Sequence, residues 1–205
     1  MCLPQFRQTN QKVMKKLFFK ELGKRFFVYV AILACGALFG AIYGALNDQI
    51  TYTISPEYYT KFKFEQFGIK GSFANEYQRI GAAIVGVFAT WWAGLLLSAV
   101  LGLFAFMQQS CLHMFKCFLR SAGIAIFTVI ICTFLAYCGF IFTGVYVPKY
   151  IIDKDAFKTV GNMHNIAYIA GVVGLILGVL YNTAYRIFCD TKTLCAQKNS
   201  PEIRG

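Results

Sequence analysis

The chain has 205 residues, of which 58% are hydrophobic and only 14% are charged, and its net charge at pH 7 is +11. A soluble domain carries roughly 25% charged residues, so this composition excludes an ordinary soluble protein. The charges leave four long charge-free stretches, each longer than the roughly 20 residues that a helix needs to cross a hydrocarbon core. We therefore predict an all-α membrane domain over residues 26–188, with spans at about 26–46, 80–106, 122–147 and 166–188.

Residues 1–25 are predicted to form a basic cytoplasmic segment. Within it, residues 13–25 have apolar side chains at helical spacing, which is typical of an amphipathic helix. Its lysines would lie near anionic head groups, or the segment serves only to anchor the topology through its charge. Lysine runs also bind phosphate, but no nucleic-acid-binding motif accompanies this one, which argues against a nucleic-acid partner. The lysines of the helix and of the position just before it are Lys12, Lys15, Lys16, Lys20 and Lys24.

Small residues recur four apart in three of the spans. Such a row forms a smooth ridge on one helix face and lets helix backbones approach closely in lipid. The pattern predicts a tight four-helix bundle, but it does not separate packing within one chain from packing between copies. The predicted packing residues are Gly36, Gly40 and Gly44 in span one, Gly94, Ser98 and Gly102 in span two, and Gly174 and Gly178 in span four.

The first outer loop, residues 47–79, has two alternating segments. Residues 49–54 alternate β-branched or aromatic with polar side chains, which predicts a strand. The Ser-Pro-Glu run at 55–57 favours a helix start, and residues 61–65 alternate again. The second outer loop, 148–165, would add an edge. We expect a small strand-containing cap on the outer (periplasmic) face, the alternative being an irregular aromatic-rich loop in the head groups.

Seven polar residues should lie at a similar depth on this outer face. They form a candidate ligand or partner site in which a histidine faces carboxylates, or they serve as helix caps with a Glu76–Arg79 ion pair. A single histidine without nearby Cys or His lacks metal-ligand spacing, so we predict no metal, and no motif indicates a cofactor or catalytic group. The seven are Asp48, Glu57, Glu76, Arg79, Asn162, His164 and Asn165.

Charge placement predicts the orientation. An excess of Lys and Arg marks the cytoplasmic side of a membrane. The N-terminal segment, the loop with Lys116 and Arg120, and the tail at 189–205 are basic, whereas the two outer loops hold six of the nine acids. Both termini should therefore be cytoplasmic.

Three segments carry a resemblance: Asp48-Gln49 with Ser55-Pro56-Glu57-Tyr58-Tyr59 and Lys61-Phe62-Lys63-Phe64, Ala89 through Leu96, and His164-Asn165 with Tyr168 through Gly171 and Gly174. They resemble the outer loop, the second span and the start of the fourth span of a group of four-span bacterial membrane proteins without a known activity. The resemblance covers most of the chain except its two tails. It implies the predicted topology and a bacterial inner membrane, and nothing about chemistry.

Three functions fit these features. The first is a non-enzymatic membrane subunit that binds a protein partner or a second copy through the cap or the basic helix. A membrane enzyme would require a set of four outer-face residues to converge on an open pocket, namely Asp48, Glu76, Arg79 and His164. No span carries a mid-membrane charge, which argues against a pump, but an oligomeric channel or small-solute transporter would have a wet path. Residues expected along it are Ser98, Thr128, Thr143 and Asn182.

Overall fold

A computed structural model describes the backbone of residues 3–198 and the side chains of residues 14–189 and 191. The predicted tail therefore lies partly outside the described residues, as does the side chain of Lys12. In chain order the elements are α1 (Leu3–Ile54), α2 (Pro56–Tyr58), a π-helical turn (Tyr59–Lys63), α3 (Phe64–Gln66), α4 (Ser72–Asn75), α5 (Gln78–Ala105), α6 (Cys111–Tyr137) and α7 (Lys154–Lys198).

Four helices within the described residues are long and apolar enough to cross a membrane: Met14–Ile54, Gln78–Ala105, Cys111–Tyr137 and Lys154–Cys189. In the most apolar part of each, only 11–33% of the residues are buried inside the protein. The remaining apolar side chains face outward and need lipid as their solvent, since large exposed apolar surfaces are unfavourable in water. The chain is therefore an all-α, multi-pass membrane protein, as its composition predicts.

The helices α1 and α5 touch backbone to backbone. A Cβ placed on Gly40 would lie 2.5 Å from the carbonyl oxygen of Thr90 and 3.0 Å from the Cα of Gly94. Gly36 meets Gly94 and Ser98, and Gly44 meets Gly86 and Thr90, so the two ridges face each other in antiparallel order. The hydroxyl of Thr90 also donates to the carbonyl of Gly40 at 2.7 Å. Small residues thus allow a close contact along about two turns of each helix.

The helices α6 and α7 form a second antiparallel pair. Gly174 lies against Ala125, and Gly178 lies against Ser121 and against Leu101 of α5. Near this point the buried side chain of Asn182 donates to the carbonyl of Leu101 at 3.3 Å and to the hydroxyl of Ser121 at 3.4 Å. These contacts join the two pairs at the end of the bundle where α5 ends and α6 begins, which we call the inner end.

Arg25 holds the inner end of α1. Its guanidinium donates to the carbonyls of Phe106, Gln108 and Gln109 at 2.8–3.0 Å. Helices leave their last carbonyls without intrahelical partners, and Arg25 satisfies those that follow α5. The predicted packing residue Gly102 lies one turn away, against the side chains of Tyr29 and Ile32.

The third span differs from its prediction. It was predicted at 122–147, whereas α6 covers Cys111–Tyr137 and carries Lys116 and Arg120 in its own early turns. Gly139 ends it with a φ of +79°, and the amide of Phe140 donates to the carbonyl of Leu135 at 3.0 Å. This is a Schellman cap, which favours glycine in the left-handed conformation.

The outer loop that follows is therefore displaced. It covers residues 138–153 rather than 148–165, and α7 begins twelve residues before the predicted fourth span. The carboxylate of Asp153 accepts the amide hydrogen of Ala156 at 3.0 Å, which is the usual N-cap arrangement. Residues 140–147 alternate between exposed and partly buried side chains, so this apolar segment is extended although it is not part of a sheet.

The prediction of a strand-containing cap was wrong, because the outer cap of this chain consists of helical turns. Residues 49–54 continue α1, and the hydroxyls of Thr51 and Thr53 donate to the carbonyls four residues earlier at 3.0 and 2.9 Å. Such bonds let β-branched residues remain helical. The helix start at residues 55–57 is confirmed, with Ser55 as N-cap and Pro56 in the first turn. The buried cap residues are Tyr58, Tyr59, Phe64, Ala82, Val85, Ile151, Phe157 and Val160.

The basic segment is helical, as predicted, but it is continuous with the first span. At 1.5 Å per residue the 52-residue α1 is roughly 78 Å long, far more than the roughly 30 Å hydrocarbon core. Lys16, Lys20 and Lys24 form an exposed stripe, and the opposite side presents Met14 and Phe18, which are 67% and 65% exposed. The N-terminal part of α1 therefore extends beyond the bundle at its inner end.

Gly40→Ala should destabilise the protein by about 1–3 kcal/mol, the usual cost of overpacking, because its methyl group would collide with α5. The matched control is Gly123→Ala in α6, where a Cβ has no neighbour within 4 Å. There, Ala should stabilise the helix by roughly 0.5–1 kcal/mol. Thermal unfolding in detergent measures both, and equal effects of the two changes would show that the α1–α5 contact is not tight.

Candidate functional site

A crevice of about 380 Å³ separates the α1–α5 pair from the α6–α7 pair. All four long helices line it, and its walls are almost wholly apolar. On α1 the lining residues extend from Gly36 to Asp48, which at 1.5 Å per residue is roughly 18 Å. The crevice therefore has about the depth of one leaflet, because the hydrocarbon core is roughly 30 Å thick.

The crevice opens sideways to the surface that faces lipid. Its lining includes Leu96 of α5 and Val172 of α7, and each of these side chains is 58% exposed. Trp92 and Tyr168 lie beside them and are 45% and 46% exposed. The crevice is therefore not sealed from the outward surface formed by α5 and α7.

A buried contact between a histidine and a carboxylate closes its outer end. The Nε2 atom of His164 lies 3.3 Å from Oδ1 of Asp48, and the two side chains are 11% and 5% exposed. The other ring nitrogen, Nδ1, lies 2.9 Å from the carbonyl oxygen of Val160. A carbonyl only accepts, so Nδ1 donates to it, and Nε2 can bond to Asp48 only with a second proton between them.

Two tyrosines of the cap enclose this pair. The rings of Tyr58 and Tyr59 lie 5.1 and 6.4 Å from the ring of His164, measured between centroids. Thr51 donates its only hydroxyl proton to the carbonyl of Asn47, so Tyr59 is the donor in its 2.6 Å hydrogen bond with Thr51. Burial raises the pKa of both phenols well above the ordinary value, and the nearby Asp48 adds to the effect. Both phenols are therefore neutral at physiological pH.

Lys63 is a buried cation above the same cluster. Its side chain is on the π-helical turn, it is 7% exposed, and its Nζ lies 5.4–5.7 Å from the ring centroids of Tyr58, Phe62 and Phe67. Burial lowers the pKa of Lys63, and the charge of Asp48 partly opposes this change. Aromatic rings attract a cation, but they do not replace the hydrogen bonds to water that the ammonium group of Lys63 loses when it is buried.

Three of the other predicted site residues hold the outer loops. Asn162 accepts the amide of Thr143 at 2.7 Å and donates to the carbonyl of Ile141 at 2.7 Å, which fixes the extended segment. Asn165 donates to the hydroxyl of Thr143 at 3.2 Å. Glu57 accepts two amides at the start of α7, from Ile152 and Asp153, at 3.1 and 2.9 Å. These hydrogen bonds hold the two outer loops in place.

Glu76 and Arg79 lie elsewhere, in a shallow depression at the start of α5. The predicted ion pair between them is absent from the described part of the chain. Arg79 donates to the hydroxyl of Thr53 at 3.3 Å and stacks over the ring of Tyr52, 5.3 Å from its centroid. Of the seven predicted residues, the structure thus brings only Asp48 and His164 together at the crevice.

Several residues of the site were not predicted. They are Tyr43, which lines the crevice, and Thr51, Tyr58, Tyr59 and Lys63 around the histidine–carboxylate contact. The sequence did contain a sign of their arrangement. Asp48, Thr51 and Ser55 continue the glycine row of α1 at helical spacing, and all three are buried. The alternation of polar and apolar residues at 49–54 predicted a strand, and this prediction took the place of the helical spacing.

Among the described residues, no group of three His, Cys, Asp or Glu side chains is arranged to hold a metal ion. Comparison with known proteins gives no family, because no protein-family model, curated protein or solved structure matches the chain. The site has to be interpreted from its own geometry.

Lys63→Met should raise the midpoint of thermal unfolding by a few degrees at pH 7, because it removes a buried charge and keeps the length of the side chain. Roughly 1 kcal/mol corresponds to about 2–4 °C in a protein of this size. The lowered pKa means that the folded state disfavours the bound proton, so the wild type gains stability as the pH rises towards the ordinary value of 10.5.

The advantage of Lys63→Met should therefore shrink between pH 7 and about pH 10.5. Lys70→Met is the matched control, since Lys70 is exposed on the outer loop and its replacement should change little. A lower midpoint for Lys63→Met at both pH values would instead show that the three cation–π contacts outweigh the cost of burial.

Proposed function

We propose that this chain is a non-enzymatic membrane protein that works by binding, and that its crevice holds one hydrocarbon chain of a lipid. The observation that carries the proposal is the crevice itself, which is apolar, lined by all four long helices and open sideways to lipid. Its volume of about 380 Å³ is within the range of small-molecule sites, roughly 300–1,000 Å³.

The surroundings favour a lipid chain over water as the occupant. Water inside a protein needs two to four polar partners, and the middle of this crevice offers the side chains of Leu97, Ala125, Val129 and Val172. Its polar hydroxyls there are already engaged, since Ser98 donates to the carbonyl of Leu95 at 2.9 Å and Thr90 donates to α1. A hydrocarbon chain can fill such a space without losing any hydrogen bond.

The channel and enzyme hypotheses have less support. Of the four residues expected along a wet path, only Ser98 lines the crevice, while Thr128 donates to the carbonyl of Ile124 at 2.9 Å. The outer-face enzyme needs Glu76 and Arg79 next to His164, but they line a separate depression. Binding without chemistry accounts for the crevice more simply.

The setting that we propose is a bacterial inner membrane, with both termini in the cytoplasm. Its support is the basic character of the inner end, together with the resemblance of the outer loop to a group of bacterial proteins. A protein partner or a second copy at the inner end remains a further prediction. The exposed lysine stripe of α1 favours an acidic surface there and disfavours a second copy, since like charges repel.

Gly171→Leu should block occupation of the crevice. Gly171 lines it, and a Cβ at this position meets no other group within 4 Å, so a larger side chain would enter the space without disturbing a helix contact. In reconstituted bilayers, single-chain lipid probes with a diazirine on the chain should crosslink to crevice residues in the wild type. This labelling should fall roughly tenfold in Gly171→Leu, which corresponds to a loss of about 1.4 kcal/mol of binding free energy.

Gly123→Leu is the control for Gly171→Leu, because Gly123 is also open but lies outside the crevice lining. It should label like the wild type. The proposal fails if no probe crosslinks within the crevice, or if labelling there is the same in Gly171→Leu as in Gly123→Leu.

The orientation is tested with a matched pair of exposed lysines, Lys70 on the outer loop and Lys20 on α1. After all eight cysteines are replaced by serine, Lys70→Cys should react with a membrane-impermeant maleimide on intact cells. Lys20→Cys should react only after lysis, because basic segments stay in the cytoplasm. The opposite pattern of labelling would reverse the proposed topology.

A further inference from the structure

Two cations of α6 lie on its outward face, close to the inner end of the bundle. Lys116 and Arg120 are four residues apart, so they share one face of the helix, and both side chains are exposed. The acid of α1 at this end, Glu21, reaches α6 at Cys111, 4.0 Å away. Cys111 lies about two and a half turns before Arg120, on the opposite side of α6. Among the described side chains, no carboxylate forms an ion pair with either cation.

The height of Arg120 matches the inner boundary of the hydrocarbon core. At 1.5 Å per residue, α1 rises roughly 40 Å from Glu21 to Asp48. The helix α6 rises roughly 14 Å from Cys111, which is level with Glu21, to Arg120. Arg120 is therefore roughly 27 Å from the level of Asp48, and the hydrocarbon core is roughly 30 Å thick. With Asp48 at the outer boundary, Arg120 lies beside the head groups of the inner leaflet.

Two tyrosines of α7 orient the guanidinium of Arg120. Its Nη1 atom donates to the hydroxyl of Tyr181 at 3.3 Å, and its Cζ atom lies 5.9 Å from the ring centroid of Tyr185. The two rings are stacked with their centroids 6.1 Å apart, and the hydroxyl of Tyr185 is within reach of both Arg120 and Cys189. Arginine has five N–H donors, so two hydroxyls do not satisfy them all. The guanidinium is therefore oriented but still able to bind an acceptor.

The acceptor that fits this position is a phosphate. A charged group at the edge of the hydrocarbon needs a partner, because part of its water is lost there. Arginine binds two phosphate oxygens through parallel hydrogen bonds, and basic pockets between helices at a cytoplasmic membrane face bind lipid head groups. Lys116 adds a second positive charge. It favours a head with a net negative charge over a zwitterionic head, whose own ammonium group it repels.

We propose that the face of α6 and α7 at the inner leaflet binds the phosphate of an anionic phospholipid, through Arg120 and Tyr181, with Lys116 beside the head group. The hydroxyl of Tyr181 accepts one bond from Arg120 and keeps its own proton for a phosphate oxygen. None of these three residues lines the crevice, so this site goes beyond the proposed function and is tested separately from it.

Native mass spectrometry of the full-length protein in detergent tests the site, with phosphatidylglycerol and phosphatidylcholine of identical chains as probes. The wild type should bind its first phosphatidylglycerol roughly tenfold more tightly than phosphatidylcholine, which corresponds to about 1.4 kcal/mol. Arg120→Gln should remove most of this preference. Arg120→Lys keeps the charge but loses the parallel hydrogen bonds, so its preference should be intermediate. Equal affinities in the wild type, or an unchanged preference in Arg120→Gln, overturns the proposal.

Lys20→Gln is the matched control, because it also removes one exposed positive charge from the inner end but lies on α1, outside the site. It should keep the preference of the wild type. A loss as large as that of Arg120→Gln would mean that the whole basic end attracts anionic lipid, and the specific site would be disproved.

Tyr181→Phe tests the hydroxyl alone, since the ring and its stacking on Tyr185 remain. Binding of phosphatidylglycerol should weaken severalfold, while binding of phosphatidylcholine should change less. Unchanged binding of both lipids would remove Tyr181 from the site.

Soluble glycerol 3-phosphate distinguishes a lipid from a free phosphate compound, because it carries a phosphate without hydrocarbon chains. At millimolar concentrations it should not displace bound phosphatidylglycerol from the wild type. Displacement would assign the site to a soluble phosphate and would overturn its assignment to a lipid.

Discussion

Close contact between helix backbones determines the shape of this protein. In lipid, helices associate through packing rather than through a hydrophobic force, so the positions of small residues decide which helices touch. Here they bring α1 against α5 and α6 against α7. Between the two pairs, Gly178 meets Leu101 at the inner end and Asp48 meets His164 at the outer end. The crevice lies between these two contacts. Its position therefore depends on which helices the small residues bring together and on where the two pairs meet.

The number of spans could be predicted because it depends on one property, the length of charge-free stretches compared with the membrane. The end of the third span could not be predicted in this way. Residues 140–147 are as apolar as a span, and composition does not separate an extended apolar segment from a helix. The local signs were Gly139, which ends α6, and Asp153, which caps α7.

The candidate site was only partly predictable for a related reason. Seven polar residues were expected at one depth, and the prediction of depth alone does not say which side chains face each other. Asp48 and His164 are 116 residues apart and meet because α1 and α7 are oriented towards one crevice. The alternation at residues 61–65 predicted a strand, and in a strand the side chain of Lys63 would face the solvent. Its burial depends on the π-helical turn, which the sequence pattern did not indicate.

The outer end of the bundle combines groups that are expensive to bury. A carboxylate, an imidazole and an ammonium group lie within one aromatic cluster, and the carboxylate influences the pKa of each neighbouring phenol and of Lys63. Buried ionic groups are weak evidence for stability, because their desolvation often costs as much as their attraction returns. These groups therefore do not by themselves account for the stability of the outer end.

The bonds of Arg25 give α1 a mechanical property. The helix continues without a break from its exposed lysine stripe into the glycine row, and Arg25 attaches it to the turn after α5 at one level. The same helix is held again along its glycine row, where Gly36, Gly40 and Gly44 touch α5. A load on the lysine stripe would therefore be carried along one stiff helix, past Arg25, to the backbone contact at Gly36 about three turns beyond it.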